Sequence, residues 1–256
     1  MSIRITYDTA YIDGSTVTAS SYTGDLAPGN VINDQVNRPW RSTGVNTQWI
    51  KFDFTSARSF NVCGIFGHNF TAAATATLAW STDDASWTDV GNFTILANSD
   101  AVVLSRLVMY FSAASKRYWR ISIDNPTHPG TYLEIGRVIL GTYYEPARNY
   151  ADDYAIEHID PSEEARTAGR DPIYRQMTIY RRATVRFPRM TETQRLKFQT
   201  IFLKVGNTRP MLVSFDPAAT DPQVDSMYCS FLTPMRLISP VDGQWDALDL
   251  VFEERT

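Results

Sequence analysis

The side chains capable of chemistry are few and scattered. The chain holds three histidines and two cysteines. Neither Cys63 nor Cys229 has a histidine at a spacing that would activate a thiolate. No Gly-rich loop followed by Lys-Ser or Lys-Thr is present to cradle phosphate, and no dinucleotide fingerprint occurs. The nucleophile elbow, Gly-x-Ser-x-Gly, is absent, as is a pair of histidines four apart that could start a zinc site on a helix. Adjacent carboxylates stand at Asp83-Asp84 and Glu163-Glu164. Glycoside cleavage needs two carboxyl groups facing each other across a sugar, which sequence neighbours do not provide. Distant acids such as Asp53 and Glu134 would have to be brought together by the fold. These residues point to contact rather than catalysis, and the expectation is a protein that is not an enzyme.

One stretch concentrates cationic and aromatic side chains: Tyr180, Arg181, Arg182, Arg186 and Arg189. Such residues could meet phosphate, pair with upstream acids (Asp152, Asp153, Glu157, Glu163, Glu164), or form a subunit interface, where Arg and Tyr are enriched. The net charge of −4 is the wrong balance for a nucleic-acid binder. An interface therefore ranks first, intrachain pairing second and nucleic acid a distant third.

The elements that must carry these residues follow from composition and periodicity. With 256 residues, 43% of them hydrophobic, the chain can bury a core, and general disorder is excluded. Cys63 and Cys229 sit in apolar, strand-like surroundings. Both are expected buried and reduced, with no disulfide. No apolar run of membrane-spanning length occurs, and the first residues carry no signal-peptide core. The first part of the chain reads as strands. Ile3 to Tyr7 alternates, and Gln48 to Phe54 places Ile50, Phe52 and Phe54 on one face. Further strands are expected at Phe60–Phe66, Ala74–Trp80, Val102–Phe111, Tyr118–Ile123 and Tyr132–Leu140, with a turn cluster from Ser81 to Ser86 between.

Texture changes near 143–150, where arginine becomes abundant. Two domains are expected: a β-sandwich over 1–142 and a β-rich domain over 143–256. In the second, Ile173 to Phe187 alternates for too long to be one flat strand, so a break is expected near Tyr180–Arg182. Thr191-Glu192-Thr193-Gln194 is a capping box. Phe198, Ile201, Phe202 and Val205 then follow helical spacing, and Gly206 supplies a stop. A helix over about 191–205 packs on antiparallel strands at Met211–Phe215, Met227–Leu232, Met235–Ile238 and Asp246–Glu253. The fold class is mainly β: an N-terminal jelly-roll sandwich plus a C-terminal antiparallel β-rich domain with one main helix.

Ordered fragments of the first part are familiar as a set: Ala19-Ser20-Ser21-Tyr22, Asn30-Val31-Ile32-Asn33-Asp34, Trp40-Arg41-Ser42 and Gln48 to Phe54. Later come Trp80 to Thr88, Arg117-Tyr118-Trp119-Arg120-Ile121 and Leu133 to Gly141. Over residues 15–141 this order resembles the discoidin-like, galactose-binding-like family. The resemblance implies a jelly roll and leaves the ligand open. It points to Trp40, Arg41, His68, Asn69, Phe70 and His128 as candidate ligand contacts in loops, with a core or loop anchor the favoured reading of Trp40. It also leaves open a structural calcium site at Asn33, Asp34 and Glu134, although Asn33-Asp34 stands where the family commonly has Asp-Gly; the favoured alternative is that Asn33 and Asp34 cap a turn and Glu134 pairs with an arginine. No cofactor is required otherwise.

Gly67-His68-Asn69-Phe70, together with the turn near Trp87, is similar to galactose-binding-like domains of tailed-phage structural proteins. That likeness implies a non-enzymatic component of a phage tail or baseplate, made in the host cytoplasm and resident in the virion. Its partners would be other tail proteins, further copies of itself and a surface glycan, without nucleic acid or membrane insertion. The alternatives are a carbohydrate-binding or lectin-like module outside any virion, and a glycan-processing enzyme.

Overall fold

Alternation of apolar and polar residues sets the strands, and turn-forming residues set their ends. The computed structural model describes residues 2–96, 105–151, 154–166, 169–239 and 243–255. In chain order the early elements are β1 (Arg4–Thr6), helix α1 (Ala10–Asp13), β2 (Thr16–Ala19), β3 (Trp40–Arg41), β4 (Gln48–Phe66), β5 (Thr75–Ser81) and β6 (Thr88–Asn92). Then come β7 (Arg106–Asp124), β8 (Glu134–Ile135), β9 (Arg137–Gly141), β10 (Ala155–Ile159), β11 (Glu163–Arg166) and β12 (Pro172–Arg175). The last are β13 (Tyr180–Met190), α2 (Glu192–Val205), β14 (Met211–Ser214), β15 (Ser226–Phe231), β16 (Arg236–Ile238) and β17 (Trp245–Glu254). The molecule is mainly β, with antiparallel sheets and two helices among the described residues.

The chain forms two compact units, residues 1–145 with 211–226, and residues 146–210 with 227–256. In the first, one sheet runs β2-β4-β7-β5-β6, and β9 also pairs with β4. β4 and β7 are each 19 residues long, and both stay in one ladder because register shifts between Asp53 and Arg58 and between Phe60 and Val62 bend the pair. At the first shift Thr55 has φ 59° and its amide donates to Asp53 Oδ1 at 2.8 Å. A short β3–β8 pair contributes Trp40 and Ile135 to the core, which they share with Phe52, Phe60, Trp119 and Leu133. The loop before β3 rests on bare backbone. A Cβ added to Gly136 would lie 2.3 Å from the Val36 carbonyl oxygen, so no side chain fits there.

The segment 211–226 was expected with the second domain and instead packs in the first unit, because β14 pairs antiparallel with β1. Arg106 on β7 also donates to the Gln223 carbonyl at 2.8 Å. In the second unit, β13 lies between β10 and β17, and β17 also pairs with β15 and β16. Helix α2 covers this sheet, with Phe198 4.6 Å from Phe187 and Phe202 5.6 Å from Phe231, ring centre to ring centre. Its capping box is complete: the Gln194 amide donates to Thr191 Oγ1 at 3.3 Å, and the Thr191 amide to Gln194 Oε1 at 3.1 Å. The long alternation does break, but at 176–179 rather than at Tyr180–Arg182, since β12 ends at Arg175 and β13 begins at Tyr180. The start of the expected Val102–Phe111 strand, and Asp152 and Asp153, lie outside the described residues.

Candidate functional site

The loops after β4 and β7 meet the end of the β3–β8 pair. Register sets Arg41 opposite Glu134, and the guanidinium lies 2.6 Å from Glu134 Oε1. The same guanidinium sits 4.0 Å from the centre of the Tyr132 ring, a stacked cation and aromatic. Asn69 ties the loops together: its Oδ1 accepts from the Glu134 amide at 2.8 Å, and its Nδ2 donates to the Tyr132 carbonyl at 3.2 Å. His128 closes the cluster. The Gly130 amide donates to His128 Nδ1 at 3.0 Å, so that nitrogen is an acceptor. The proton therefore sits on Nε2, which donates to the Asn69 carbonyl at 2.9 Å. The result is a half-buried polar ledge of Arg41, Asn69, His128, Tyr132 and Glu134, cross-braced from three segments.

Three of the six expected ligand contacts do not reach this surface. Trp40 is fully buried in the core and donates through Nε1 to the Ser21 carbonyl at 2.9 Å. Phe70 and His68 are also buried, their rings stacked 4.5 Å apart, and His68 Nδ1 accepts from the Phe70 amide at 3.1 Å. These side chains hold the loops and are shielded from any ligand. Arg41, Asn69 and His128 are brought together as a group. Tyr132 was not singled out from sequence, and Glu134 was assigned to a metal; both belong to this cluster.

At Asn33, Asp34 and Glu134 the structure shows the favoured alternative to a calcium site, a turn cap and arginine pairing. Asn33 Oδ1 caps its own turn by accepting from the Gln35 amide at 3.2 Å. Asp34 lies 3.7 Å from the guanidinium of Arg137, a fully buried side chain that also donates to Asp13 at 2.6 Å. Glu134 is engaged by Arg41. Each acid faces an arginine, and among the described residues no group of three or more His, Cys, Asp or Glu side chains could hold a metal ion.

The arginine stretch is engaged within the second unit. Arg181 is buried and forms a two-pronged pair with Glu254 at 2.6 and 2.9 Å. Arg182 donates to Glu253 at 2.7 Å, which raises the pKa of the guanidinium further. Arg186 lies 3.7 Å from Asp246, and Arg189 donates to Asp246 through its amide and to Gln244 through Nε. Tyr180 stands opposite Ile159 in the β10–β13 ladder. The acids that meet these arginines come from β17, downstream, rather than from the upstream set the sequence suggested. Of that set, Glu157 does lie opposite Arg182 in register.

The F5/8 type C domain family matches residues 16–137, and the first unit has a discoidin-like fold. Among solved structures, the chain is similar over about half its length to chitosan-binding module 1 of a chitosanase/glucanase from Paenibacillus sp. IK-5. The identity is 21%, 49% of this chain and 93% of that one are covered, and the TM-score is 0.42. It is also similar to the CpGH89CBM32-5 module of Clostridium perfringens, in complex with GalNAc-β-1,3-galactose, at 14% identity, 51% and 98% coverage and a TM-score of 0.42. A Ruminococcus gnavus GH29 fucosidase in complex with fucose matches at 17% identity, 52% and 26% coverage and a TM-score of 0.42. No curated protein matches the chain.

Proposed function

We propose that the first unit is a non-catalytic carbohydrate-binding module that contacts a glycan through the Arg41–Tyr132 ledge. The carrying observation is the guanidinium held at once by Glu134 and by the Tyr132 ring. This gives a fixed donor beside an aromatic face, the pairing that sugar hydroxyls and sugar C–H faces require. Asn69 and His128 fix the loops so that little ordering is left to be done on binding. The family match over 16–137 agrees with a module of this kind. Nothing in the structure or the comparisons links the chain to phage tails or baseplates, and the carbohydrate alternative is the better supported reading.

A glycan array followed by calorimetry tests this. At least one neutral glycan binds, and Arg41→Ala or Tyr132→Ala weakens it tenfold or more without lowering the melting temperature of the first unit substantially. An array without hits, or binding indifferent to both substitutions, overturns the reading.

A further inference from the structure

The outer face of the β4–β7 ladder carries a second concavity, away from the loop ledge. Lys51 and Arg120 stand side by side in register, and Trp49 lies one pleat further along β4, opposite Ser122. The turn between β5 and β6 overhangs this face and supplies Asp84 and Trp87. These five residues, Trp49, Lys51, Asp84, Trp87 and Arg120, line a cavity of about 180 Å³. Such a volume is below the usual range for drug-sized ligands and suits a single sugar ring.

Its chemistry is specific. Lys51 pairs with Asp84 at 2.6 Å. Arg120 stacks 4.2 Å from the centre of the Trp87 ring, and its enclosed Nε has no hydrogen-bond partner among the described residues. A donor shielded from water and left without an acceptor is costly, so an oxygen atom that meets it is favoured. The other acids of this face are occupied or distant. Asp53 is held by Arg117 at 2.8 and 2.9 Å, and Asp89 lies two strands from Arg120, in register through Ala79. The pocket thus carries two cations against one carboxylate, with the Trp49 and Trp87 indoles in its lining.

We propose that this pocket binds one carboxylate-bearing pyranose, a hexuronate unit of an acidic glycan. The sugar's C–H face lies on indole, and its carboxylate is met by Arg120 with Lys51 beside it. A neutral sugar would leave the excess charge unused. An inorganic anion would leave the Trp49 indole unused. The proposal does not rest on the loop ledge, which has different residues.

The test uses the full chain, with tetragalacturonate and its methyl ester as probes, read by tryptophan fluorescence and calorimetry. The methyl ester keeps the rings and removes the charge. The acid form is expected to bind, to weaken at least fivefold between low and high salt, and to exceed the ester by tenfold or more. Trp49→Ala and Arg120→Gln each weaken the acid form at least tenfold, while Arg41→Ala leaves it unchanged. Arg120→Lys, which keeps the charge and loses the planar stack, gives an intermediate loss if Arg120→Gln fails to fold. Absence of binding overturns the proposal. So does equal binding of acid and ester, or binding lost with Arg41→Ala and kept with Trp49→Ala. Binding of a sulfated glycan or a nucleotide in this pocket without binding of the uronate overturns the ligand assignment.

Discussion

Asp83 shows how a single side chain shapes a working surface. Its carboxylate accepts from the Ala85 amide at 3.0 Å, the Ser86 amide at 2.9 Å and the Ser81 hydroxyl at 2.8 Å. Those donors, the Ser86 amide first, hold its pKa down to about 2. They also fix the turn that presents Asp84 and Trp87. Because the folded value is depressed from 3.8, the charged carboxylate adds stability that is fully present above the unfolded pKa and is lost as pH falls through about 2. Asp83→Asn is therefore expected to melt below the unaltered protein at pH 7. The gap should close as pH falls from about 4 to about 2, as thermal melts across that range would show; a gap independent of pH would assign the effect to shape instead of charge. Residue-scale features were legible where neighbours in sequence decide them. The turn cluster at 81–86 and the burial of Cys63 and Cys229 are of this kind, and that burial pushes both thiols up. The burial of Trp40 was the reading its sequence context favoured, whereas its strand pairing with Ile135, far along the chain, was not legible.

Elements were legible by period, and their partners were not. The capping box and the apolar spacing of Phe198, Ile201 and Val205 announced α2 to within a residue, since both signals are local. The ladder between β4 and β9 and the reach of Asn69 to Tyr132 and Glu134 depend on chain reversals that no local pattern encodes. The β11–β12 ribbon is the element with least support. All of its residues are exposed, Ile173 by 57% and Tyr174 by 65%. Its ion pairs, Arg166 with Glu164 and Arg175 with Glu163, lie on the surface, where such pairs add little. A two-stranded ribbon by itself is marginal in water. Brief digestion with trypsin is expected to cut first after Arg166 or Arg175, well before Arg181, which is buried against Glu254. Mass spectrometry of the early fragments reads this directly, and first cuts after Arg117 or Arg120 would count against it.

At the scale of the molecule, each unit keeps its own core and its own matched charges. The loop at Asn33 and Asp34 is secured from below by Arg137, a guanidinium with no exposed surface. The first unit is thus expected to melt at the same temperature with calcium or with a chelator, because an ion that binds only the folded state would raise it. Arg137→Ala, by contrast, removes a buried side chain from beneath two acids and is expected to cost about 2 kcal/mol, visible as a lower denaturant midpoint. A chelator-induced drop in melting temperature would reverse both expectations. The two-part division was suggested by a change of texture, yet texture could not show that residues 211–226 belong with the first unit, since β14 is apolar enough for either. That return of the chain bears on how the protein is made. On the ribosome β1 emerges long before its partner β14. Until residue 214 is synthesised β1 lacks the strand it pairs with, and unpaired strand edges invite pairing with other chains. Translation speed across 146–210, and the chaperones met meanwhile, then bear on yield for reasons the finished structure conceals.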